Sequence, residues 1–256
     1  MSKLLLFDLD GTLLRTDKTV SNRTLEMLER CRNMGYLVGI VTSRSEQNSL
    51  SFLGRLKPDI LITSGGALVK SGDEYIYKAI FSKERTCKLI QTARDICGID
   101  TEITIDTLDT HYWNYKIDPK ELDQSWGDSV WTDFIDFAEE SLKMCVEIFD
   151  DGKAQQLIDI LDDCDSIRFS DGFWYKFTLK GVTKENSIEI ACRKLGINTS
   201  DVIAFGDDYA DIGMLKMAGI GVAMGNAIDE VKLSADVVIE TNDNDGIALY
   251  LEKLLQ

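Results

Sequence analysis

Several residue types that would point to particular chemistries are scarce in this 256-residue chain. The only histidine is His111, and no nucleophile motif accompanies it, so a serine–histidine–aspartate triad is not expected. Two prolines leave no proline-rich linker, and the six cysteines show neither a C-x-x-C pair nor zinc-binding spacing. We therefore expect His111 to have a surface or packing role, and the thiols to be inert in a reducing compartment.

Positive charge and long apolar runs are also in short supply. Lysine and arginine total 28 against 44 acidic residues, a formal net charge of −16, which argues against a sequence-independent nucleic-acid binder. No stretch reaches transmembrane length, and Asp8 interrupts the N-terminal apolar run before it could serve as a signal peptide. The sequence predicts a cytoplasmic protein with no nucleic-acid or membrane partner, and it gives no basis for inferring a protein partner.

Apolar runs and helix signals alternate along both ends of the chain. Strand-like runs occupy residues 4–9, 37–42 and 59–62, and a helix signal begins after Ser21. Alternation of this kind is typical of βαβ units and a parallel sheet. The same pattern resumes after Gly181, with a helix at 184–195 and strands at 202–205, 220–222 and 237–239.

The middle third of the chain has a different pattern of residue types. Aromatic and β-branched runs with less regular spacing surround two helix patterns, at 83–97 and 153–163. This pattern is typical of an α+β unit with an antiparallel sheet. The fold prediction is therefore an α/β protein with a doubly wound, mainly parallel, Rossmann-like core (1–82 and 180–256) and an inserted α+β cap (83–179).

Two aspartates two positions apart follow the apolar residues 4–7 of the first predicted strand, in the run FDLDGT at residues 7–12. A parallel strand is buried on both faces, so acids at its end should open onto a crevice. We interpret Asp8 as a nucleophile and Asp10 as an acid/base beside one Mg²⁺. The alternative is a strand that ends in a turn made of Asp and Gly.

Other polar residues fall where the same crevice should lie. Thr42, Ser43 and Arg44 follow one predicted strand, and Asp207 and Asp211 follow another. Lys184 opens a helix, an unfavourable place for a cation unless an anion lies nearby. Two carboxylates about 4 Å apart repel by roughly 4 kcal/mol at an effective dielectric of 20. A divalent cation removes this repulsion, and oxygen ligands favour Mg²⁺ over zinc.

In their order, these motifs resemble the four motifs of the haloacid dehalogenase superfamily. The run AMGNA at 223–227, followed by Lys232 and the run NDNDG at 242–246, is similar to its Cof-type phosphatases. Those enzymes carry an α/β cap between the second and third motifs, where this chain changes texture. The resemblance implies a Mg²⁺-dependent phosphatase of a small phosphorylated metabolite, with sugar phosphates favoured.

The resemblance also implies a role for each matching residue. Asp8 would form an aspartyl-phosphate, and Asp10 would protonate the leaving group and then activate water. The implied metal ligands are Asp8, the Asp10 carbonyl and Asp207, with Asp211 in support. The implied phosphate-binding residues are Thr42, Ser43, Lys184 and Asn226.

Two positions depart from the family pattern, since Ala210 and Gly65 stand where asparagine is common. We expect Asp208 to be a solvated loop acid rather than a compensation for Ala210. Two alternatives stay open, a phosphomutase of related type and a catalytically weak regulatory or binding protein.

Arg44 could bind substrate or pair with a core acid. The cap residues that could select the leaving group, although packing is their commoner role, are Trp113, Lys116, Arg168 and Lys176.

Overall fold

The structure is a computed structural model that describes residues 3–118, 120–122, 125 and 127–256. Its strands form two sheets, one of eight strands and one of six. The strands of the larger sheet are β1 Leu4–Phe7, β2 Leu37–Val41, β3 Ile60–Thr63, β4 Leu68–Ser71, β5 Glu74–Lys78, β12 Val202–Gly206, β13 Ile220–Ala223 and β14 Val237–Val238. Those of the smaller sheet are β6 Ile103–Asp106, β7 His111–Trp113, β8 Val130–Trp131, β9 Lys143–Glu147, β10 Cys164–Arg168 and β11 Trp174–Leu179. The helices are α1 Asn22–Asn33, α2 Glu46–Leu53, α3 Lys83–Cys97, α4 Asp151–Ile160, α5 Lys184–Leu195, α6 Ile212–Met217, α7 Asp229–Ser234 and α8 Gly246–Leu254.

The larger sheet has the order β14-β13-β12-β1-β2-β3-β4-β5. Neighbouring strands are parallel from β14 to β3, and β4 and β5 add an antiparallel edge. All four residues of β1 are completely buried, and Phe7 stacks on Phe205 of β12 with ring centroids 4.6 Å apart. Burial on both faces explains why β1 reads as a continuous apolar run.

The smaller sheet has the order β10-β11-β9-β6-β7-β8 and is antiparallel except between β7 and β8. Side chains alternate between its two faces. One face packs against α3 and α4 through buried residues such as Ile105, Val146 and Phe177. The opposite face is polar yet buried, and we call it the polar face of the cap sheet. It carries Thr104, Asp106, Lys143, Cys145, Lys176 and Thr178.

The structure confirms the predicted fold class, a doubly wound and mainly parallel core with an α+β cap. Helices α3 and α5 have the predicted bounds, and Ser21 caps α1 by accepting a hydrogen bond from the amide of Thr24. The first strand ends at Phe7 rather than at residue 9, because the chain turns at 9–13 with Gly11 at a φ of +72°. The hairpin of β4 and β5 and the helix α2 were not predicted. The division of the chain at 82/83 and 179/180 stays a prediction.

Two predictions from composition can be compared with the described residues. All six cysteines are free thiols, in keeping with the absence of paired spacing. Across the described ranges, no helix combines the length and the apolarity that crossing a membrane requires.

Candidate active site

Three neighbouring strands of the larger sheet end at one edge. Phe7 of β1 lies in register with Ile40 of β2 and Phe205 of β12. The residues that follow these strands, among them Asp8 and Asp207, therefore meet at the point where the sheet's strand order changes direction. A crevice outside the carboxyl ends of parallel strands is where ligands bind in such sheets.

Three carboxylates converge in this crevice. Asp8, Asp207 and Asp211 each offer an oxygen atom, and these atoms all lie within 4.8 Å of one another. Lys184 joins two of them, because its Nζ lies 2.5 Å from Asp8 Oδ1 and 2.6 Å from Asp211 Oδ1. Both ion pairs are buried. The anion that Lys184 needs at its helix N-terminus is thus supplied by the protein itself.

The proximity of these acids alters their proton affinities. Burial, opposed by Lys184 and reinforced by Asp211, raises the pKa of Asp8 well above its ordinary value of 3.8. Burial and Asp211 raise the pKa of Asp207 to about 7. Burial opposes the charged form of Lys184, but Asp211 and Asp8 outweigh it and raise its pKa.

A divalent cation would favour the ionised forms of the acids. Three carboxylates suit Mg²⁺, which takes oxygen ligands, so the residues present fit this ion.

Asp211 also orients the loop that bears Asp207. Its Oδ2 accepts hydrogen bonds from the backbone amides of Asp207 and Asp208, at 2.9 and 3.1 Å. The Thr12 hydroxyl donates to Asp207 Oδ1 at 2.6 Å. Asp211 is completely buried, and with Oδ1 on Lys184 both of its oxygens have protein partners. The carboxylate of Asp207 is thereby held in place.

Gly11 lies at the point of closest approach between the turn after β1 and the loop after β12. A Cβ at this residue would lie 2.1 Å from Asp207 Oδ2, and its φ of +72° also favours glycine. Asn226 Nδ2 donates to the Gly11 carbonyl at 2.7 Å, and Asn226 Oδ1 accepts from the Asn242 amide at 3.0 Å. In this structure Asn226 therefore joins two loops of the crevice, and its predicted contact with phosphate stays a prediction.

Asp10 lies beside two cations. Arg44 makes two hydrogen bonds of 2.6 Å to its carboxylate, and Lys18 makes one of 2.7 Å. Burial opposes the ionised form, but the Arg44 and Lys18 contacts outweigh it and lower the pKa of Asp10. Of the two roles left open for Arg44, the structure shows the pairing with a core acid. Lys18 carries no sequence signal for this contact. It lies in a second turn, in which its amide donates to the Arg15 carbonyl at 2.9 Å.

The loop after β2 carries two of the four predicted phosphate-binding residues, Thr42 and Ser43. Thr42 is buried, and its hydroxyl accepts a hydrogen bond from the Arg44 amide at 3.1 Å. Ser43 Oγ is shielded from solvent and has no hydrogen-bond partner among the described residues. A buried hydroxyl without a partner is costly, and a phosphoryl oxygen in the crevice would provide one.

A buried charge network joins the cap sheet to the core. Asp106 accepts a hydrogen bond from Ser64 Oγ at 2.8 Å and pairs with Lys143 at 2.9 Å. Lys143 also donates to the Ser43 carbonyl at 2.6 Å. The Nδ1 atom of His111 forms a hydrogen bond of 2.6 Å with Asp106 Oδ1, so the single histidine has a structural partner in the cap. Burial opposes the ionised form of Asp106, but Lys143 and His111 outweigh it and lower its pKa.

Asp208 is a partly exposed loop acid that also has a partner in the cap. Its Oδ2 accepts hydrogen bonds from both the amide and the hydroxyl of Ser170, at 3.3 and 3.0 Å. Ser170 lies in the turn between β10 and β11, so Asp208 is a second contact between core and cap. Sequence spacing could not show this, because the two residues meet only through the packing of the cap on the core. Ala210 is buried beside this loop.

Of the four cap residues considered for leaving-group selection, three have local partners. Trp113 donates to Glu102 at 2.9 Å. Lys116 pairs with Asp100 at 3.7 Å, and Arg168 donates to the Gly172 carbonyl at 2.8 Å. Lys176 instead reaches the core, where a Cβ on Gly65 would lie 2.7 Å from its Nζ.

Comparison with known proteins agrees with this fold. The haloacid dehalogenase-like hydrolase family matches residues 5–251, and the chain belongs to this family. It is 29% identical over 266 residues to a phosphoglycolate phosphatase of Methanopyrus kandleri, covering 100% of this chain and 98% of the relative. It is 26% identical over 272 residues to a 5-amino-6-(5-phospho-D-ribitylamino)uracil phosphatase of Bacillus subtilis, covering 98% and 96%. A solved sugar phosphatase of haloacid dehalogenase subclass IIB shares 27% identity and a TM-score of 0.86, with 99% of both chains covered.

These findings confirm the predicted Cof-type family and the predicted enzyme class, a phosphatase. Hydrolases of this family are generally metal-dependent, and the acidic cluster offers a site for a metal ion. The individual roles of the site residues stay predictions.

Proposed function

We propose that the chain is a Mg²⁺-dependent phosphatase that hydrolyses a small phosphorylated metabolite through an aspartyl-phosphate on Asp8. The observation that carries this proposal is the convergence of Asp8, Asp207 and Asp211 around Lys184 at the carboxyl edge of the sheet. Bound Mg²⁺ would neutralise charge on the phosphoryl oxygens. Asp8, the Asp10 carbonyl and Asp207 would hold it, with Asp211 orienting Asp207.

The reaction divides into two displacements. In the first, an Asp8 oxygen bonds to phosphorus, the ester P–O bond breaks, and Asp10 gives a proton to the leaving oxygen. Asp10 must therefore be protonated when substrate is bound, against the Arg44 and Lys18 contacts that lower its pKa in the free protein. In the second, Asp10 removes a proton from water, the water oxygen bonds to phosphorus, and the bond to Asp8 breaks. Lys184, Thr42 and Ser43 would hold the phosphoryl oxygens, so that catalysis depends on positioning and charge neutralisation.

The cap favours small substrates. Asp106 and Lys143 bind the core from one part of the cap, and Ser170 binds Asp208 from another. A lid held at several points excludes bulk water and leaves little room for a protein or nucleic-acid substrate. Sugar phosphates are the favoured class, which the structural similarity to a sugar phosphatase supports. A cytoplasmic location stays a prediction.

The test is phosphate release from a panel of phosphorylated metabolites by the wild type, with Mg²⁺ and with excess EDTA. Asp8→Asn should reduce turnover about 1000-fold or more while the protein stays folded, because an amide is a poor nucleophile. Asp73→Asn, on an exposed turn, is the matched control and should retain wild-type activity. Near-wild-type turnover by Asp8→Asn, or undiminished activity in EDTA, would contradict the proposal.

A further inference from the structure

Lys176 is a buried lysine of the cap that faces the core. It lies in the middle of β11, on the polar face of the cap sheet, with only 2% of its surface exposed. Its ammonium fills the space beside Gly65, where a Cβ would lie 2.7 Å from Nζ. The Gly65 amide donates to the Thr42 carbonyl at 3.1 Å. The ammonium is therefore placed next to the loop that carries the predicted phosphate-binding groups.

Lys176 lacks a paired counter-charge among the residues that the structure describes. Lys143, the other buried lysine on this face, pairs with Asp106 and bonds the Ser43 carbonyl. Lys176 has no hydrogen bond or ion pair with any residue the structure describes. Burial, together with repulsion from Lys184 and Lys143, lowers its pKa to about 8. A buried ammonium without a paired counter-charge is costly, so this site would be stabilised by an anion from outside the chain.

The transferred phosphoryl group does not need Lys176. Lys184 lies in ion-pair contact with Asp8, and Thr42 and Ser43 lie at the neighbouring strand end, all supplied by the core. Lys176 approaches from the cap, the part that would cover the leaving group. Gly65, which has no side chain, provides the space that the lysine occupies.

We propose that Lys176 binds an anionic substituent on the leaving group, so that the preferred substrates are phosphorylated metabolites with a second negative charge. This inference rests on the proposed function and deepens it. A carboxylate and a second phosphate share the required chemistry. A charge-assisted hydrogen bond to either would compensate the buried ammonium.

The test compares pairs of phosphate esters in which only one member carries a second anionic group. The carboxylate pair is 3-phosphoglycerate and glycerol 3-phosphate, and the phosphate pair is fructose 1,6-bisphosphate and fructose 6-phosphate. The wild type should prefer the more anionic member of at least one pair. Lys176→Met should lower kcat/KM at least tenfold for that member and less than threefold for its partner. The matched control is Lys88→Met, an exposed cap lysine on α3, which should change neither.

A selective loss in the carboxylate pair alone identifies a phosphorylated acid, and one in the phosphate pair alone identifies a bisphosphate. Equal losses for both members, or no anion preference in the wild type, would overturn the proposal. A binding measurement separates this failure from that of the proposed function. With Asp8→Asn as background, adding Lys176→Met should weaken calorimetric binding of the preferred anionic compound at least tenfold. Unchanged affinity overturns the role of Lys176 even if phosphatase activity is established.

Discussion

Replacing Lys176 by methionine should make the protein more stable when no substrate is bound. The pKa of Lys176 falls from an ordinary 10.5 to about 8 on folding, chiefly because of burial. At 1.36 kcal/mol for each tenfold change in proton affinity, the folded protein carries a penalty of about 3 kcal/mol at pH 7. Methionine fills a similar volume without charge, so the free energy of unfolding should rise by about this amount.

The pH dependence has a definite sign. A lysine whose pKa is lower in the folded state destabilises the protein fully below pH 8, where both states are protonated. Between pH 8 and 10.5 the folded protein loses this proton before the unfolded chain does, so the penalty shrinks. The advantage of Lys176→Met should therefore be greatest at pH 7 and fall below about 1 kcal/mol by pH 10.

Urea unfolding in a phosphate-free buffer measures this difference, with tryptophan fluorescence as the signal. All four tryptophans of the chain lie between residues 113 and 174, so fluorescence reports on the cap in which Lys176 lies. Lys88→Met should change the unfolding free energy by less than about 0.5 kcal/mol, as exposed substitutions usually do. A Lys176→Met protein that is less stable than the wild type at pH 7 would refute the reasoning, since it would show that the lysine stabilises the fold.

Two further predictions concern stability. Asp106→Asn should cost about 3–5 kcal/mol in urea unfolding, because it leaves the buried ammonium of Lys143 without its charge partner; a loss below 1 kcal/mol would contradict this. Gly66→Ala should cost about 2 kcal/mol or more, because φ is +108° and the new Cβ would lie 2.4 Å from the Thr183 carbonyl oxygen. Gly35→Ala, at +88° with open space around it, is the matched control and should cost less; equal losses would show that the contact with Thr183 is not important.

The sequence was informative wherever the physical cause is local. Apolar runs predicted the parallel strands of the core sheet, because strands buried on both faces exclude polar side chains. Capping residues such as Ser21 predicted where helices begin. The order of the motifs placed Asp8, Asp207 and Lys184 in one crevice, because parallel strands present their carboxyl ends at one edge.

The tertiary structure decided which side chains meet across the cap and the core. Asp208 and Ser170 are 38 positions apart, and Lys143 and Ser43 are 100 positions apart, so no periodicity relates them. The sequence offered Lys176 and three other cap residues alike as residues that could select the leaving group. Only the packing of β11 over Gly65 distinguishes Lys176 from the others. Local patterns determine strands, helices and caps, whereas the balance of buried charge depends on surfaces that form only when the cap packs on the core.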